Sequence, residues 1–144
     1  MPSIANDTAA DLGLLIGRVM LSIVFLWSGA DKAVHWSEGL GEIVSAGLPY
    51  PTLLLIATVL VQLGGGVSVA LGIFARLGAL ALAGFTVVAT VLFHNFWVVA
   101  DPVDRQQQLT TFLEHVGILG GFTILIFLGA GRLSLFPSSK ERLG

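Results

Sequence analysis

Glu114 and His115 stand side by side inside a long apolar run, and His94 stands inside the run before it. Ionisable groups in such runs cost about 2.5–3.5 kcal/mol each on membrane-insertion scales, so they mark functional positions by default. The chemistry they suit is proton transfer or polar contact with a ligand: imidazole titrates near neutrality, and a carboxyl in apolar surroundings needs a partner or a proton. Arg18, Gln62 and Lys32 add polar groups that can hold a ligand, and Trp27 and Trp97 add rings that can pack on one. Histidine and glutamate can also ligate zinc or iron, and two imidazoles can fill both axial positions of a haem. Neighbouring residues of one helix point about 100° apart, however, so Glu114 and His115 converge poorly on a metal, and no metal site is assigned. Haem remains a minor alternative. Each residue also has a plainer reading: Arg18 can snorkel to headgroups, His94 and Trp97 can mark the interfacial belt, and His115 can serve only as the hydrogen-bond partner of Glu114.

The elements that must position these groups are membrane helices. The chain has 144 residues, 55% hydrophobic and only 11% charged, where a soluble domain would carry about a quarter charged. Four apolar runs are long enough to cross a bilayer, Leu12 to Ala30, Thr52 to Ala75, Leu77 to Ala100, and about Leu109 to Ala130. Barrel strands would alternate in polarity over about ten residues, and no such alternation appears. Asp7 and Asp11 precede the first run with no Lys or Arg, so it reads as a retained span rather than a signal peptide. The fold class expected is an all-α, four-transmembrane-helix bundle forming one domain over residues 1–144. Trp36, Leu40, Ile43, Val44 and Leu48 recur at helical spacing, which predicts a short interfacial helix between spans one and two. Gly13/Gly17, Gly64/Ser68/Gly72, Ala79/Ala83 and Gly117/Gly121 give stripes of small residues where helices can approach.

Spacing brings the costly residues to one level. His94 lies six residues before Ala100 and His115 six after Leu109, so both lie about 9 Å inside the same end of the bundle. Thr86, Thr90, His94 and Trp97 follow one face of span three, and Thr111, His115 and Phe122 one face of span four. Glu114 then turns toward span one or two, within reach of Lys32, and Gln62 near mid-membrane can bridge toward Arg18. A polar ladder of Arg18, Gln62, Glu114 and His94 is the resulting expectation.

The formal charge of −2 and the lack of a basic cluster exclude a nucleic-acid partner. Zero cysteine removes disulfides, thiolate nucleophiles and iron–sulfur clusters, so any redox chemistry needs a borrowed cofactor.

Ser28-Gly29-Ala30-Asp31-Lys32 closes span one, Gly47-Leu48-Pro49-Tyr50-Pro51 opens span two, and Gly72-Ile73-Phe74-Ala75-Arg76-Leu77 makes the hairpin turn. With Leu92-Phe93-His94-Asn95-Phe96-Trp97, Gly120-Gly121 and Gly129-Ala130-Gly131-Arg132-Leu133-Ser134, the chain resembles the DoxX family from about Leu12 to Leu135. The resemblance implies four transmembrane helices and a small membrane subunit of a quinone-linked oxidoreductase, with quinone as the cofactor and a soluble or membrane oxidoreductase subunit as partner. The chain departs from the family pattern at Gln62, where relatives often carry Glu, and at Glu114-His115, where Lys-Asn is common. The alternative function is a non-enzymatic bundle that binds, assembles with or exports a lipid or small molecule. Location is expected in the bacterial inner membrane. Arg76, Arg132, Lys140 and Arg142 outnumber Lys32 and Arg105 across the bundle, which predicts both termini on the cytoplasmic side. A C-terminal reporter that works only in the cytoplasm should therefore be active; an inactive fusion reverses the map.

Overall fold

Long apolar runs with few helix breakers become helices because, in lipid, backbone polar groups have no partner but one another. In the computed structural model, which describes residues 4–135 and side chains from Thr8 onward, five α-helices form: α1 Ile4–Val34, α2 Trp36–Ser45, α3 Pro51–Leu71, α4 Ala75–Phe93 and α5 Pro102–Leu128. Helices α1, α3, α4 and α5 lie in the four segments long and apolar enough to cross a membrane. The short α2 matches the interfacial helix expected between spans one and two. Among the described residues there is no strand. Helix α1 packs on α3, α3 on α4 and α4 on α5, while α5 meets α1 more lightly.

Local chemistry sets the helix ends. Tyr50, between two prolines, takes a left-handed conformation at φ 54°, and Pro51 then begins α3 where its missing N–H costs nothing. Gly72 at φ 73° ends α3, with the Ile73 N–H donating to the Ser68 carbonyl at 3.0 Å. Helix α1 extends beyond both expected ends and α3 stops at Leu71 rather than Ala75, and two further boundaries differ from the sequence expectation by about a turn or more. Helix α4 stops at Phe93 rather than running to Ala100, leaving His94 at its C-cap and one 3₁₀ turn over Phe96–Val98. Helix α5 starts at Pro102 rather than Leu109, because the Asp101 carboxylate accepts the N–H groups of Val103 and Asp104 at 2.9 and 3.0 Å. A polar first turn can thus be helical outside the hydrocarbon.

One end of the bundle carries both described ends of the chain and is tied by polar contacts. Arg132 Nε donates to Asp11 Oδ2 at 2.7 Å, and the Leu135 N–H donates to the Leu71 carbonyl at 3.0 Å. Arg18, 2% exposed, donates through Nη2 to the Leu133 carbonyl. Helix–helix contact in this half is close because glycine faces bulk. A Cβ at Gly65 would meet Leu82, one at Gly66 would meet Leu26, one at Gly78 would meet Ser68, and one at Gly121 would meet Leu21. Without a hydrophobic drive in lipid, this shape fit is what associates the helices. Phe25, Val69, Ala79, Leu82, Phe122 and Leu125 form the core beside it. The small-residue stripes expected from spacing are met in part: Ser68, Gly72, Ala79 and Gly121 lie at close or buried contacts, whereas Gly13, Gly17, Gly64 and Gly117 have open space where a Cβ would go, and on α3 the contact falls on Gly65 and Gly66 instead of Gly64.

Gly72 is irreplaceable on two counts, its positive φ and the overlap any Cβ would make with Arg18 and Ser134. Gly72→Ala should lower stability by about 1–3 kcal/mol. Gly64→Ala, on an open helical face, should leave the melting temperature in detergent near that of the parent; equal melting of both variants would contradict this account.

Candidate functional site: a cavity at the α2 end

Beyond the glycine-mediated contacts the helices enclose a cavity of about 520 Å³ at the end capped by α2. All five helices contribute. Phe25, Leu55, Phe85 and Ile118 give apolar walls, and Ser28, Lys32, Glu42, Thr58, Gln62, Thr86, His94 and His115 give polar points. Phe85 stands edge-on to Phe25, their centroids 6.5 Å apart, and Phe25 packs on Phe122 at 5.4 Å, which makes the floor. Helix α2 forms part of the roof: its buried Gly39 lets α2 settle against Leu55, and buried Ile43 lines the cavity.

The two histidines meet. Their rings are edge to face with centroids 5.0 Å apart, although one belongs to α5 and the other to the C-cap of α4. Thr90 orients His115. The Thr90 hydroxyl donates to the Thr86 carbonyl at 2.6 Å, so its oxygen is left to accept from His115 Nδ1–H, also at 2.6 Å. Thr86 repeats the pattern, donating to the Leu82 carbonyl at 2.8 Å. His94 Nδ1 donates to Gln108 Oε1 at 2.8 Å. Both imidazoles are therefore held in the tautomer that leaves Nε2 as an acceptor.

Gln62, 4% exposed, donates from Nε2 to Ser28 Oγ at 3.1 Å, while its Oε1 is buried with no hydrogen-bond partner. An unsatisfied buried acceptor costs about 1–3 kcal/mol, so a donor brought into the cavity would be stabilised there. Lys32 forms an ion pair with Glu42 at 3.5 Å at the α2 side of the site.

The residues singled out by sequence thus separate into two groups. His94, His115, Gln62 and Lys32 line the cavity together. The rest lie outside it. Arg18 is engaged at the opposite end, Trp27 is largely exposed, and Trp97 packs against Phe96 and Phe112. Glu114 falls on the exposed face of α5. The ladder of Arg18, Gln62, Glu114 and His94 does not form, and Lys32 takes Glu42 rather than Glu114. Ser28, Glu42 and Gln108 escaped the sequence reading. Glu42 carried a signal, as one of two acids, with Glu38, on the amphipathic segment that follows the lone cation closing span one. Ser28 stood only within the motif that closes span one, and Gln108 carried no signal.

Four apolar helices around an inner cavity define a multi-pass membrane protein. The DoxX family model matches residues 13–95, and the chain belongs to that family. It is 30% identical over 125 residues to inner membrane protein YqjF of Escherichia coli K12, covering 87% of this chain and 90% of that one. Inner membrane protein YphA of the same organism is 28% identical over 123 residues, covering 85% and 86%. Both are named as inner membrane proteins, in agreement with the location expected from sequence. No solved structure matches the chain.

Thr90→Val removes the acceptor for His115 Nδ1–H. Imidazole 15N spectra should then change from a single Nδ1–H form of His115 to a mixture of tautomers, with a stability loss of about 1 kcal/mol. An unchanged His115 spectrum would show that Thr90 does not set the tautomer.

Proposed function

We propose that the chain is a membrane subunit of a quinone-linked oxidoreductase system and that the cavity receives the ring of the quinone or its hydroquinone. The observation that carries this reading is the buried, unpartnered Gln62 Oε1 in a cavity also lined by two imidazoles that each retain an acceptor nitrogen. Ring hydroxyls are donors, so an acceptor-rich wall suits the reduced form. Phe25 and Phe85 offer aromatic surface to a flat ring, and about 520 Å³ lies within the range of small-molecule pockets.

When bound, a quinone supplies two-electron, two-proton redox chemistry. The residues of this chain do the rest of the work. Gln62, held by Ser28, orients a ring hydroxyl. His115 and His94 hold or release protons at Nε2 while their Nδ1 hydrogen bonds keep the rings in place. Phe25 and Leu55, both buried, keep bulk water from that side of the cavity. Electrons belong to a partner subunit, because a chain without cysteine has no thiol or iron–sulfur route of its own. Glu114, on the exposed face, takes no part in this scheme.

Gln62→Leu tests the reading. Protein purified gently from its native membrane should carry quinone detectable in its lipid extract, and the variant should retain about tenfold less, as loss of one buried hydrogen bond implies. Its helix content and melting should stay close to the parent. A parent protein that neither carries quinone nor binds added short-chain quinone would overturn the proposal.

A further inference from the structure

The cavity that holds the ring is too small for a long tail and is not closed on all sides. Four of its lining residues are apolar and more than a third exposed: Val24 of α1 at 48% and, grouped on two neighbouring helices, Leu54 of α3 and Val88 and Leu92 of α4 at 37%, 57% and 41%. Helical phase explains why they belong together. On α3, Leu54 follows the same face as Gly65, which takes Leu82 of α4. Val88 and Leu92, one turn apart, lie on the outer flank of the α4 face that meets α3, on the opposite side from Thr90, which faces His115. The larger part of the exposed rim therefore flanks the seam between α3 and α4.

The seam between the two helices changes character along its length for a steric reason. Near their connecting turn they touch through Gly65 and Gly78, where a Cβ would already meet the neighbouring helix. Farther along, the facing positions carry Leu54, Thr58, Phe85 and Leu92, and bulk replaces glycine. Leu54 is three residues from the start of α3 and Val88 five from the end of α4, so the gap opens about 5–8 Å below the helix ends. The residues exposed at that depth are apolar, as contact with acyl chains requires.

We infer that the gap between α3 and α4 is a lateral portal to the bilayer, and that the ligand is a ring carrying a long apolar tail which leaves the cavity past Leu54, Val88 and Leu92. The inference rests on the quinone reading and narrows it, from any ring of suitable size to a tailed, lipid-dissolved one. Head and tail are then recognised separately: Gln62 and the histidines take the ring, and the rim needs only to be apolar and open. A tail passing between helices lets the ligand exchange with the membrane pool while Lys32 and Glu42 stay paired at the α2 side.

The test compares two ligands, a decyl-tailed benzoquinol and its tail-less parent ring, titrated calorimetrically into the full protein in lipid nanodiscs. Val88→Trp places bulk on the rim without touching the core, and should weaken binding of the tailed ligand by about tenfold while leaving the tail-less ring unchanged. Leu54→Trp repeats the block from the facing helix and serves if Val88→Trp folds poorly. Leu113→Trp, exposed on α5 and outside the cavity, should change neither affinity. Both rim variants leaving the tailed ligand unaffected, or weakening both ligands alike, would overturn the portal while the ring site stands. So would Val24→Trp, on the α1 wall, acting in their place. A parent protein that binds neither ligand refutes the ring site itself and the portal with it.

Discussion

Close backbone approach through Gly65, Gly66 and Gly78 is the constraint on which the rest of the bundle depends. Apolar side chains lose nothing by facing lipid, so helices stay together only where their surfaces interlock. Glycine supplies the holes and Leu82, Leu26 and Ser68 fill them. These contacts lie in one half of the membrane. Because α3 and α4 are joined by a tight turn at that end, bulk at their other ends holds the helix faces apart, and a cavity results without any residue dedicated to making it.

The polar contacts at the two ends have different work. At the terminal end Arg18 and Arg132 bind the segment after α5 to α1, and the Leu135 N–H reaches α3. This fixes the light α1–α5 seam, whose middle is held by Leu21 against Gly121 and by the Phe25–Phe122 ring contact. At the cavity end hydrogen bonds restrict side chains rather than join helices by force. Thr86 and Thr90 are satisfied within α4, and the remaining lone pair of Thr90 dictates which nitrogen of His115 carries its proton. A β-branched hydroxyl at helical spacing thus does two jobs, closing its own backbone bond and setting a tautomer on the next helix.

Much of this was legible in the sequence, for identifiable reasons. Run length gave four spans, apolar spacing gave α2, and counting residues from the span ends placed His94 and His115 at one level, where their rings meet. Helical phase correctly put Thr86 and Thr90 on the face that meets span four. Two things were not legible. Glycine stripes repeat every three or four residues on several faces at once, so spacing alone chose Gly64 when Gly65 and Gly66 make the contact. Pairing of charges depends on where α2 docks, and the buried Gly39 that brings Glu42 to Lys32 looks in sequence like any helix-weakening glycine.

Glu114 shows how one fixed phase decides a site's character. Adjacent residues of a helix diverge by about 100°, so once Thr90 claims His115, Glu114 is turned off the α4 face of α5. The costliest side chain in the apolar sequence therefore stands outside the cavity that its neighbour lines. Among the described residues the cavity's carboxylate is Glu42, and Lys32 already answers it. What remains inside is an amide oxygen, two imidazoles and hydroxyls. Groups of that kind discriminate by hydrogen bonding rather than by charge, which matches them to an uncharged ligand drawn from the lipid rather than to an ion drawn from water.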